Sequence, residues 1–215
     1  DTDAAFGYFG TWVSDNYINW ARYADNPHAN IFNNLLNNSQ FQCEFINRYA
    51  DLINTIFQPS NLNDIAGDIQ NELSSMGMSN HIDRWQFPDA FDPSYWYDEN
   101  WMETIGSIPE WNADIESILY YNFQRIDEAR QHIIDEFNLD GQYDVSLDVY
   151  PENSGTINIS TITPDNYPWV GVYFNSCPIH VNAIAKPGYA FDYWELVNSD
   201  ISTSDSTDLE LNINE

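Results

Sequence analysis

The feature that most constrains this chain is a change of hydrophobic period near residue 141. Before it, apolar residues recur at helical spacing; after it, they alternate at every second position. Asn26-Pro27 supplies a cap and a first-turn proline ahead of the stripe Ile31, Phe32, Leu35 and Leu36. Ser39 with Gln42 forms a capping box opening a second helix, whose stripe is Phe41, Phe45, Ile46, Tyr49, Leu52, Ile53 and Phe57. A third helix is expected to turn Leu62, Ile65, Ile69, Leu73 and Met76 inward and to stop at Gly77. Residues 86–101 are rich in proline and aromatics without a helical period and read as a structured loop. Ser107 with Glu110 makes another capping box around Pro109. The longest helix then follows on Trp111, Ile115, Ile118, Leu119, Ile126, Ile133 and Phe137, with Gly141 closing it.

Beyond that point Tyr143 to Tyr150 alternates strictly, the pattern of a half-buried strand. Further strand-like runs cover 156–161, 170–174, 179–185, 190–196 and 209–213, separated by turns such as Asn153-Ser154-Gly155 and Lys186-Pro187-Gly188. The fold class expected is therefore α+β: a helical portion over 1–141 and a small all-β module over 142–215. With 215 residues, one large or two small domains can each bury a core.

Charge narrows the partners. The chain holds 34 Asp and Glu against 6 Lys and Arg, a formal net charge of -28. That field repels phosphate backbones and anionic lipid, which argues against nucleic-acid and membrane-surface binding. Divalent cations and uncharged or basic polymers remain, although an acidic surface suited to a salty or extracellular setting is the simpler reading. No stretch approaches the roughly 20 apolar residues of a membrane span. Cys43 and Cys177 lie far apart with no CxxC or Cys/His spacing, which argues against zinc; whether they pair is not decided by sequence. His28, His81, His132 and His180 show no ligand spacing. Arg48 with Asp51 and Arg125 with Glu128 are helix-spaced ion pairs.

Three segments in order carry a resemblance: Asp1-Thr2-Asp3-Ala4-Ala5-Phe6-Gly7; Asn26 to Leu36, continued by Phe41, Phe45, Arg48, Tyr49, Asp51, Leu52 and Asn54; and His81-Ile82-Asp83-Arg84-Trp85, ahead of the helix with Trp111 and Arg130. This order resembles CotH-type proteins, a family of secreted bacterial proteins named after a spore-coat component. The resemblance implies the rear of an atypical kinase-like domain that transfers phosphate from ATP to protein serines. It implies that Asp1 and Asp3 bind Mg²⁺ or Mn²⁺; on charge alone, apart from the resemblance, the acidic Asp89–Glu99 loop is a weaker cation candidate. Two carboxylates two residues apart share a side of an extended segment, and hard oxygens suit these ions. It also implies a protein substrate or cell-surface component as partner and an extracellular location.

The 142–215 segment resembles a divergent internalin-type repeat through Gly155-Thr156-Ile157-Asn158-Ile159, Gly171 to Phe174, Ile179 to Ala183 and Gly188-Tyr189-Ala190-Phe191-Asp192-Tyr193-Trp194. Its aromatics are expected to face inward on a strand. Such modules imply spacing or presentation. The phosphate machinery is incomplete: there is no glycine-rich phosphate loop, and the one lysine, Lys186, lies in a turn. The expectation is that ATP-holding elements precede Asp1, that no catalytic residue can be named here, and that this chain alone is inactive. Two other readings stand beside it. One is a non-catalytic binding or presentation module. The other is a glycoside hydrolase with Trp96, Tyr97 and Trp101 stacking on sugar, which has little beyond composition behind it.

Overall fold

The computed structural model describes residues 12–85, 105–197 and 202–213. Among these are six helices: α1 (Tyr17–Tyr23), α2 (Pro27–Leu36), α3 (Ser39–Asn54), α4 (Pro59–Ser75), α5 (Met78–Trp85) and α6 (Ile108–Phe137). Seven strands follow: β1 (Gln142–Leu147), β2 (Gly155–Ile159), β3 (Trp169–Phe174), β4 (Ile179–Ala185), β5 (Trp194–Glu195), β6 (Thr203–Ser204) and β7 (Asp208–Leu211). The α+β class is as expected. All pairings are antiparallel, in sheets β1-β3, β2-β4-β7 and β5-β6.

Local chemistry sets the boundaries. Asn26 caps α2 by accepting from the Ala29 amide, with Pro27 in the first turn. Asn38, not Ser39, caps α3, because its Oδ1 reaches the Phe41 amide. At α6, Ser107 Oγ accepts from the Glu110 amide while the Glu110 carboxylate reaches back to the Gly106 amide at 2.7 Å. Asn138, at φ 50, takes the left-handed position after α6 that was expected further on at Gly141. Gly77, at φ 99, ends α4 as expected, and α5 begins at the next residue.

The chain divides into two compact units that follow contacts and not sequence order. One gathers Asp1–Asp15 with Ile56–Glu128; the other gathers Asn16–Thr55 with Ala129–Glu215. The second contains α1 to α3, the last turns of α6 and all the strands. Its core joins Ile46 and Ala50 of α3 and Ile133 of α6 to Leu147, Ile157, Ile159, Tyr173, Phe174, Ile179 and Val181 of the strands. β1 alternates as its sequence does, with Leu147 buried and Asp144, Ser146 and Asp148 exposed. A disulfide joins Cys43 on α3 to Cys177 after β3, with Cα atoms 5.1 Å apart.

The first unit holds α4, α5 and the larger part of α6. Its core residues include Ile82 and Trp111. Here one expectation is overturned. The α4 stripe does not face inward: α4 has no buried residue, and Ile65, Ile69, Leu73 and Met76 are 42–74% exposed. Where α4 meets α6 it does so through polar side chains, with Asn122 donating to Asn63 at 3.3 Å and Gln70 to Asn112 at 2.9 Å. In the 190–196 run only Trp194–Glu195 is strand; Phe191 packs against Trp194, while Tyr189 and Tyr193 stay exposed.

Candidate functional site

Asp1, Asp3 and the Asp89–Glu99 loop lie outside the described residues, as do Trp96, Tyr97 and Trp101. Among the described residues no group of three or more His, Cys, Asp or Glu side chains is placed to hold a metal. The histidines stay separate in role: His28 and His81 are exposed, His132 is buried on α6, and His180 meets Glu210 across β4 and β7 at 3.3 Å. An open concavity of about 500 Å³ is lined by Tyr193, Thr203, Ser204 and Asp205.

The motif Arg48…Asp51…Asn54 has a definite place. It lies on the face of α3 that meets the strands. Asp51 is fully buried and accepts three hydrogen bonds: from the Tyr173 hydroxyl at 2.5 Å, the Thr161 amide at 2.9 Å and the Thr161 hydroxyl at 2.6 Å. Arg48 donates to the same Thr161 hydroxyl at 2.6 Å, so Thr161 sits between the two charges expected to pair. One turn on, Asn54 behaves as a short stretch of strand. Its amide nitrogen donates to the Val172 carbonyl at 2.8 Å and its oxygen accepts from the Val172 amide at 3.0 Å, satisfying both backbone groups on that edge of β3. Asn47 donates to the Pro178 carbonyl at 2.8 Å.

Burial of the Tyr173 phenol, reinforced by the Asp51 charge and hydrogen bond, pushes its pKa far above the ordinary tyrosine value. It therefore remains a neutral donor to Asp51 at any physiological pH. A carboxylate this enclosed cannot reach a substrate in solvent; its chemistry is to fix α3 on the strands. The sequence signal for it was present as an Asp in the middle of an apolar stripe, beside Ala50 and Ile53.

Two further polar anchors hold the segment that follows the N-terminal acidic element. In the first unit, Arg125 of α6 donates to the carbonyls of Val13 at 2.5 Å and Asp15 at 2.9 Å, at a turn closed by the Asp15 amide on Trp12 O. In the second, Glu136 accepts from Asn16, Asn19 and Arg22, and the Arg22 guanidinium lies over the Tyr23 and Phe137 rings. On α5, Arg84 stacks over Trp85 at 4.9 Å with Ile82 buried.

A family model described as CotH kinase protein matches residues 1–129, more than half of the chain. The chain belongs to that kinase-like family. No curated protein and no solved structure matches it.

Proposed function

We propose that this chain is the helical rear part of a secreted CotH-type phosphotransferase acting on protein serines, with Asp1 and Asp3 binding Mg²⁺ or Mn²⁺ when ATP is bound. The observation that carries the reading is the family match, which spans the Asp1-Thr2-Asp3-Ala4-Ala5-Phe6-Gly7 element together with both helical motif segments. The donor set suits a hard divalent ion, since two carboxylates two residues apart offer oxygen ligands of the kind Mg²⁺ takes beside phosphate. When bound, the ion would neutralise charge on the transferred phosphoryl group.

Phosphate contacts are a different matter. Lys186 belongs to the turn after β4, and its amide bonds the Ser154 carbonyl there. We infer that an active protein draws its phosphate-contacting lysine from residues other than these 215, and that this chain alone transfers no phosphate. The disulfide supports an extracellular location, because such bonds persist in oxidising compartments. The 142–215 segment, read as a divergent internalin-type repeat, would serve as a spacer.

A second reading, a non-catalytic presentation module, draws on the chain's single lysine, Lys186, lying in the turn after β4. Labelled ATP with Mn²⁺ separates the two. The 215-residue chain should incorporate no label. A longer protein containing this chain and a lysine-bearing segment ahead of it should label serines, and Asp3→Ala should abolish that labelling. Labelling that is absent from the longer protein, or indifferent to Asp3→Ala, favours the presentation module.

A further inference from the structure

Helix α4 turns the usual arrangement of an amphipathic helix around. At about 100° per residue, Asn63 and Gln70 share one side, and this is the side that reaches Asn122 and Asn112 of α6. Ile65, Ile69, Leu73 and Met76 lie roughly a third of a turn away and form an apolar line about 17 Å long. These side chains are 54%, 52%, 42% and 74% exposed. Beyond them, Asp64, Asp68 and Glu72 recur every fourth residue and make a parallel acidic line, all exposed. No Lys or Arg lies on α4.

We propose that this face of α4 is a docking surface for a basic amphipathic helix of another protein. Such a helix would lay apolar residues spaced i and i+4 along the line and set Lys or Arg against the acidic flank. Charge complementarity selects this occupant over the acidic residues of this chain and over a second copy. Residues 86–104 of the chain carry Asp89, Asp92, Asp98, Glu99 and Glu103 with no Lys or Arg, and would set carboxylates against carboxylates. A second copy would bring another net charge of -28. A cationic helix gains on both lines at once: apolar area leaves water, and opposite charges meet at its edge.

The test uses the full chain and a fluorescein-labelled 18-residue Leu/Lys peptide with helical amphipathic spacing, followed by anisotropy at 0.15 M NaCl. Two comparison peptides are needed: the same residues in strict alternation, and a Leu/Glu helix. The expected result is micromolar binding of the helical Leu/Lys peptide alone. Ile69→Ser with Leu73→Ser should weaken it by at least tenfold. Asp68→Asn with Glu72→Gln should weaken it several-fold and reduce its salt dependence, and this pair removes no apolar contact should the serine pair fail to fold. Equal binding by all variants, or by the alternating peptide, would mean general attraction to an acidic surface and would overturn the proposal. Absence of peptide binding would also overturn it, as would self-association lost in the serine variant, which would assign the face to a second copy.

Discussion

Helices α3 and α4 are almost equal in length, at 16 and 17 residues, and each carries an apolar stripe, yet α3 buries six residues and α4 none. The difference lies in what their polar residues do. On α3, Asn47, Asp51 and Asn54 sit on the apolar face and hydrogen-bond to the Pro178 carbonyl, to Tyr173 with Thr161, and to Val172, with the Asn47 Oδ1 alone of their side-chain groups left unmatched. On α4, Asn63 and Gln70 bind α6 from a side separate from the apolar stripe. An amphipathic pattern states which face is apolar; it does not state that this chain covers that face. On α3, where polar and apolar residues share a face, that face is docked.

The largest effect should come from the link between α3 and the strands. Replacing Cys43 and Cys177 by serine opens a loop of 134 residues. That should lower stability by about 4–5 kcal/mol in the chain-entropy model. Chemical denaturation of the two proteins checks it. Asp51→Ala comes next, at about 2–3 kcal/mol, because the buried Tyr173 hydroxyl is left without an acceptor, while exposed Thr161 can turn to water. A loss below about 1 kcal/mol would mean that apolar packing alone seats α3.

Alkaline pH sharpens the same point. The Tyr173 pKa is raised in the folded state, so the unfolded chain loses this proton first, near the ordinary value of about 10. Its stabilising contribution is complete below that pH and declines above it, by about 1.4 kcal/mol per pH unit. Unfolding free energies measured between pH 8 and roughly 11 should show this fall, reduced in Tyr173→Phe. The smallest effects belong to α4: Ile65→Ser or Ile69→Ser should change stability by no more than about 0.5 kcal/mol, since neither side chain is buried. A loss above 2 kcal/mol in either variant would erase the contrast with α3.

Much of the fold was legible. The period switch near residue 141, the capping pair Ser107 and Glu110, and the alternation of β1 each follow from short-range chemistry that one stretch of sequence contains. What was not legible depends on partners far along the chain. Asp51 reads as one half of a surface pair with Arg48 until Thr161, 110 residues on, is placed between them. The pairing of Cys43 with Cys177 was open for the same reason. Short α1 carries no stripe to read: Tyr17 to Tyr23 has one buried residue, Ile18, and is held by polar contacts to Glu136. Of the candidate site, Asp1 and Asp3 were read from motif order alone. The Arg125 anchor on Val13 and Asp15, just after that element, came only from the structure.

Native-state amide exchange in dilute urea compares the two helices in one experiment. Amides of α3 from Ile46 to Ile53 should exchange only through global opening of their unit, with the same free energy as those of β3 and β4. Amides of α4 should exchange through a local opening of much lower free energy. Asp51→Ala should reduce the protection of α3 and β3 together and leave α4 unchanged. Equal protection of α3 and α4, or an Asp51→Ala effect confined to α3, would contradict the claim that buried polar contacts bind α3 and the strands into a single cooperative body.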